Sequence, residues 1–74
     1  MLTSNRIYQH YVANKELTPK DIAALCRSEK NVIEKRKNKD EICYTFADDS
    51  VISVLPHCIH SFENEQSLHI HRQA

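Results

Sequence analysis

The chain contains no glycine. Glycine takes a positive φ at no steric cost, so every tight turn here must be built from Asn, Asp, Ser or Lys, which adopt that conformation with strain. The same absence removes the Gly-rich loops that cradle phosphates, and with them the nucleotide-binding motifs built on such loops.

Length sets the next limit. Seventy-four residues form one domain, residues 1–74. A chain of this size buries only about 60% of its unfolded surface, so a metal, a partner or a dimer contact would help to hold it. A catalytic pocket with a buried base, an orienting shell and substrate contacts needs more scaffold, which points away from an enzyme. Charged residues at 27% and apolar residues at 41% describe a globular rather than a disordered chain. No apolar run approaches the roughly 20 residues of a membrane span. The start, MLTSNRIYQHY, lacks the apolar stretch of a secretory signal, so a cytoplasmic protein with no membrane partner is expected. Cys26, Cys43 and Cys58 form no CxxC pair and read as small apolar residues in a reducing compartment.

Net charge is zero but unevenly spread. Residues 1–40 hold nine Lys/Arg and five Asp/Glu, giving +4; residues 41–74 hold one Arg and five Asp/Glu, giving −4. Such asymmetry can mark a binding face.

Local signals divide the chain along the same line, with a helical part over 1–40 and a mainly β part over 41–74. Thr3 caps a first helix, Leu2 staples onto Ile7, and Ile7, Tyr8, Tyr11 and Val12 share a face. Asn14-Lys15-Glu16 is the stop. Thr18, Pro19 and Asp21 supply a cap, a first helical residue and a capping-box acid for a second helix. Leu17 and Ile22 form its staple, and Ile22, Leu25 and Cys26 face the core. Ala23 and Ala24 allow another helix to approach. Ser28 can cap a third helix from Glu29, with Val32 and Ile33 as its apolar residues; one continuous helix over residues 19–38 is the alternative.

After Lys39-Asp40 the period changes from 3.6 to 2. Ile42, Tyr44 and Phe46 alternate, Asp48-Asp49 forms a two-residue turn, and Val51 to Leu55 returns. That turn places Phe46 opposite Val51, Tyr44 opposite Ser53 and Ile42 opposite Leu55. The other face, with Cys43, Thr45, Ile52 and Val54, is also apolar and should be covered by the C-terminal segment or by a partner. Pro56 ends the strand. Leu68-His69-Ile70-His71 alternates again and reads as a last strand. The expected fold is α+β: two or three N-terminal helices packed on a small antiparallel sheet made of a β-hairpin plus a C-terminal strand. Its core is Ile7, Tyr11, Ile22, Leu25, Val32, Ile33, Ile42, Tyr44, Phe46, Val51 and Leu55.

The stretch Ile22-Ala23-Ala24-Leu25-Cys26-Arg27-Ser28-Glu29-Lys30-Asn31-Val32-Ile33, followed by strand, turn and strand, resembles winged helix-turn-helix DNA-binding domains over roughly residues 18–55. In that resemblance Ala23 is the small residue at the helix crossing, Ser28 caps the recognition helix and Val32 anchors it. Arg27 stands where glycine is usual, and the short wing at Ala47-Asp48-Asp49-Ser50 carries two acids. The resemblance implies that Lys30 and Asn31 read base edges in the major groove, while Lys35, Arg36, Lys37 and Lys39 meet phosphate. The implied function is a small, non-enzymatic DNA-binding transcriptional regulator on double-stranded DNA, dimeric if two copies cover each other's second hairpin face. The simpler account of KRKNK is a solvated helix end whose cations offset the helix dipole.

Two other constellations stand out. His57, Cys58 and His60 lie in PHCIH, and His69 and His71 lie two apart in HIH. Cys58, His60, His69 and His71 are candidate ligands for a structural zinc, although their spacing matches no known zinc motif and no cofactor is required. Cys58 with His60 has no orienting acid or oxyanion hole in sequence, so thiolate catalysis is not expected. The rival functional reading is a small protein-binding inhibitor or adaptor, of the kind phages and mobile elements encode. It would act on a host protein through the hairpin or the acidic C-terminal half.

Overall fold

A computed structural model of the chain describes residues 2–64. Helices α1 (Ser4–Ala13) and α2 (Pro19–Ser28) precede four antiparallel strands: β1 (Val32–Asn38), β2 (Glu41–Phe46), β3 (Val51–Val54) and β4 (Ile59–Phe62). The strands pair in chain order, β1-β2-β3-β4, and both helices lie on one face of this meander. The α+β class expected from the sequence is the class observed.

Both helices start where their caps dictate. Thr3 Oγ1 accepts from Arg6 N, and Leu2 and Ile7 pack in one cluster. At α2 the capping box is complete: Thr18 Oγ1 accepts from Asp21 N, and Asp21 Oδ2 accepts from Thr18 N. These bonds satisfy amide donors that a helix start otherwise leaves unpaired. They also hold the exposed Asp21 carboxyl below its ordinary pKa, the backbone bond from Thr18 being the larger cause.

The third helix does not form. Residues 32–38 are strand β1, so neither the broken pair of helices nor one continuous helix over 19–38 is realised. Ser28 caps nothing downstream; its Oγ donates back to Leu25 O at the end of α2. Asn31 fixes the reversal. Its side chain donates to Leu2 O at 2.6 Å, and its carbonyl accepts from Ala47 N at 2.8 Å. The physical reason is pairing. As a helix this stretch would bury only Val32 and Ile33, whereas as a strand it satisfies its backbone against β2 from Val32↔Phe46 to Asn38↔Glu41. A bulge between Val32 and Glu34 leaves Ile33 64% exposed, so Ile33 is not a core residue.

The β2–β3 connection is one residue longer than expected. Asp49 N donates to Phe46 O and Phe46 N to Ser50 O, which closes a three-residue loop, Ala47-Asp48-Asp49. Asp49 takes a φ of 71°, the left-handed residue such a loop requires. Asp48 Oδ1 accepts from Ser50 N at 3.0 Å, and the Ser50 hydroxyl and amide bonds lower the Asp48 carboxyl pKa.

The observed register pairs Thr45 with Val51, Tyr44 with Ile52, Cys43 with Ser53 and Ile42 with Val54. A one-residue shift turns a whole strand over. Ile52 and Val54 therefore face the helices, in place of Val51, Ser53 and Leu55.

The helix-side core joins Ile7, Ile22, Ala23 and Cys26 to Tyr44, Phe46, Ile52, Val54 and Ile59. Leu25, Val32, Ile42, Tyr8 and Tyr11 pack around it half-buried. Cys43 and Val51 form a smaller buried cluster on the opposite face, against Phe62. The last strand expected at Leu68–His71 lies outside the described residues.

Candidate nucleic-acid interface

Strand β1 carries the basic run, and its period of two sorts the charges by face. Lys35 pairs across the ladder with Tyr44, and Lys37 with Ile42, so both lie on the helix side of the sheet. Arg36 pairs with Cys43 and lies on the other side. Lys30 precedes the strand. Lys39 follows it, in a two-residue turn with a φ of 56°, where glycine would sit without strain. All five side chains are exposed.

The residues that the helix layer buries belong to β2, β3 and β4, and of β1 Val32 packs on that core, so the rest of β1 extends beyond it as a shelf. Lys35 Nζ sits 6.0 Å from the centroid of the Tyr44 ring, in cation–π range. Tyr44 Oη is buried and has no well-formed hydrogen bond among the described residues. Burial raises the Tyr44 pKa, and the Arg27 guanidinium beside it opposes that rise. Arg27, Lys35 and Lys37 thus lie on one side of the shelf. On the other side Arg36 Nε meets Glu34 Oε1 at 3.0 Å, both side chains more than half exposed. Such a pair adds about 0–1 kcal/mol. Lys30, Lys35, Lys37 and Lys39 form no ion pair among the described residues.

Of the two residues expected to read base edges, Lys30 stays exposed ahead of β1 and Asn31 donates to the Leu2 carbonyl at the joint; Ser28, expected to cap the recognition helix, bonds within α2. Lys35, Arg36, Lys37 and Lys39 remain together as an exposed basic strand with Lys30 at its head. Arg27, and the buried Tyr44 ring that Lys35 approaches, were missed as neighbours of this surface, because a helical reading of 29–39 turns β1 away from Tyr44. The alternation Val32-Ile33 followed by charges on both sides was the available signal for an edge strand, where lysines, charges and bulges are common.

The Cys/His cluster is only partly assembled. Cys58 Sγ lies 3.6 Å from His60 Nε2 on the outer face. His57 is exposed, and His69 and His71 lie outside the described residues. Among the described residues no group of three or more potential ligands converges, and structural zinc takes four. A cleft between α1 and the β2–β3 loop is lined by Ser4, Tyr8, Asp48, Ser50, Ser61 and Phe62. Among the described residues no helix is long and apolar enough to cross a membrane. Comparisons with protein-family models, curated proteins and solved structures found no match to this chain.

Proposed function

We propose that the protein is a small non-enzymatic DNA-binding module that docks on the double-stranded phosphate backbone through β1 rather than through a recognition helix. The observation that carries this reading is the set Lys35, Lys37 and Lys39, exposed along one edge strand without ion-pair partners among the described residues and flanked by Arg27, Lys30 and Arg36. Strands enter DNA grooves in several known readers, so the loss of the helix does not remove the chemistry. The Tyr44 ring holds Lys35 in place, which lowers the entropy lost on contact. Zero net charge opposes non-specific attraction, but the strand lies in the +4 half of the chain.

Four phosphate contacts give a log–log salt slope near −3.6, hence roughly a hundredfold loss of affinity between about 50 and 200 mM salt. An amide-shift titration with a mixed-sequence duplex at those two concentrations tests this. Shifts clustered on residues 27–39 that fade with salt support the proposal; no shift at low salt ends it.

A protein-binding module is the second reading, favoured by Ile33, which stands 64% exposed on an edge strand that has a neighbour on one side only among the described residues. Ile33→Asp, which leaves every cation of β1 in place, separates the two: it abolishes binding of a partner docked on the β1 edge and leaves duplex binding unchanged.

A further inference from the structure

The cleft between α1 and the β2–β3 loop holds about 450 Å³, within the range of small-molecule sites. It lies where α1 packs on β4, and β1 is at the opposite end of the strand order.

Its depth is lined by hydroxyls that the fold has taken out of water. Ser4 is 0% exposed and Ser50 8%. Ser61 Oγ donates to Ser4 Oγ at 3.2 Å. A bond between two hydroxyls uses one of their two protons, so this pair keeps one O–H with no acceptor among the described residues. Around the hydroxyls stand groups of a different kind. Asn5, Tyr8 and Gln9 are three and four positions apart on α1, which gathers an aromatic ring and two carboxamides on one helix face. Across from them Asp48 is fixed in place: its Oδ1 accepts from Ser50 Oγ and, at 3.0 Å, from Ser50 N. Its Oδ2 accepts no hydrogen bond among the described residues. Those Ser50 bonds also hold the Asp48 carboxyl below its ordinary pKa, so it is an acceptor at neutral pH. Phe62 and Glu63 close the β4 end.

We infer that this cleft binds a neutral saccharide of about hexose size. A sugar hydroxyl both donates and accepts, so it can give a proton to Asp48 Oδ2 and take the one left over at Ser4 and Ser61. Planar carboxyl and carboxamide groups can each bridge two adjacent hydroxyls. The C–H face of a sugar ring is apolar and suits the negative face of the Tyr8 ring. Charge sorts the alternatives. No Lys, Arg or His lines the cleft, so an anion would meet two carboxylates with nothing to offset them. A cation would satisfy Asp48 and Glu63 but would bring no acceptor to the Ser4–Ser61 pair. The site shares no residue with β1, and the inference does not depend on whether that strand meets DNA.

The test is an amide-shift titration of full-length, isotope-labelled protein with glucose, galactose and N-acetylglucosamine, each to about 50 mM, which reaches millimolar dissociation constants. At least one sugar should give saturable shifts clustered on residues 4–9, 48–50 and 61–63, with residues 32–39 unmoved. Asn5→Ala/Gln9→Ala, at two exposed helix positions, should weaken that binding at least about tenfold and leave the rest of the spectrum in place. Asp48→Asn keeps the Oδ1 acceptor for Ser50 but puts a donor where Oδ2 was, and should weaken it too. No saturable shift with any of the three sugars overturns the inference. So does binding that both variants leave unchanged. Choline, a quaternary ammonium, is the counter-probe: saturable shifts at the same residues with choline and none with the sugars make this a cation site and overturn the saccharide.

Discussion

Helix α2 and strand β1 are neighbours of similar length, and they reach their structures by opposite routes. In α2 every local signal agrees: a threonine cap, proline at the first position, an acid three residues on, and apolar residues at helical spacing. In β1 local preference argues for something else. Glu34, Lys35, Arg36 and Lys37 are good helix formers, yet they lie in a strand because β2 offers a ladder and the Asn31 joint aims the chain at it. The first element is specified by itself and the second by its partner. Stability should therefore concentrate in α2 and the inner strands, while β1 can carry charge for another purpose.

The largest expected effect tests that division directly. Ile22 is fully buried on α2 against the inner strands, and Ile22→Ala should cost about 2–5 kcal/mol by chemical denaturation. Lys35→Ala or Lys37→Ala, on exposed β1 positions, should change stability by no more than about 0.5 kcal/mol. If a β1 lysine proves as costly as Ile22, the contrast between the elements fails.

Alkaline pH gives the next effect, and it acts on the α2 side. Burial, with a smaller contribution from Glu29, pushes the Cys26 thiol up to about 12 from an ordinary 9.0. The folded state keeps this proton while the unfolded chain releases it. Stability is complete below pH 9 and falls as pH rises from 9 towards 12, by at most about 4 kcal/mol at 1.36 kcal/mol per pH unit. Burial raises Cys43 and Tyr44 as well, so both act in the same direction. Urea melts between pH 8 and 10.5 should show the decline in wild type and a shallower one in Cys26→Ala, relative to its own neutral-pH stability.

The same contrast explains what was legible. Where a signal is local and reciprocal, as in Thr3, Thr18, Pro19 and Asp21, the sequence predicts the helix start to the residue. Where structure depends on a distant strand, it does not. Nothing within residues 29–38 tells that Ala47 will donate to the Asn31 carbonyl. The β2–β3 hairpin lies between these cases. Its strands were readable from alternation, but the two-residue and three-residue loops differ only in whether Asp49 adopts a left-handed φ, a choice that glycine would have advertised. That one residue decided which side Ile52 and Val54 face. The basic residues of the candidate site were visible as a run; their distribution over two faces, and the company of Arg27 and Tyr44, were not.

The capping box sharpens the comparison at smaller scale. Thr18→Ala removes the acceptor for Asp21 N and should cost about 1 kcal/mol. Asp21 adds an acid-side signature. Its carboxyl is held below 3.8 by bonds with Thr18, so the stability it lends is present above pH 3.8 and is lost as pH falls through the lower folded value. Acid titrations of stability should show this loss in wild type and a weaker one in Thr18→Ala. β1 has no equivalent cap, so no single polar substitution in residues 32–37 should produce the same signature.

The smallest effect concerns the turns that a glycine-free chain must strain to make. Lys39 and Asp49 both have positive φ. A left-handed conformation costs a lysine about 1–2 kcal/mol, less for aspartate, whose short side chain bonds locally. Glycine relieves that strain but gives back about 0.5–1 kcal/mol through the freedom it adds to the unfolded chain. Lys39→Gly should therefore stabilise by several tenths of a kcal/mol, and Asp49→Gly by less. The two variants should part company on DNA. Lys39→Gly removes a cation from the β1 surface and should lower the magnitude of the salt slope by about 0.9, whereas Asp49→Gly, away from that strand, should leave it unchanged. A Lys39→Gly protein that gains stability and binds duplex with an undiminished salt slope would confine the binding strand to residues 35–37. An Asp49→Gly protein with an altered slope would move the interface to the β2–β3 loop and remove the separation between a stabilising sheet interior and a binding edge.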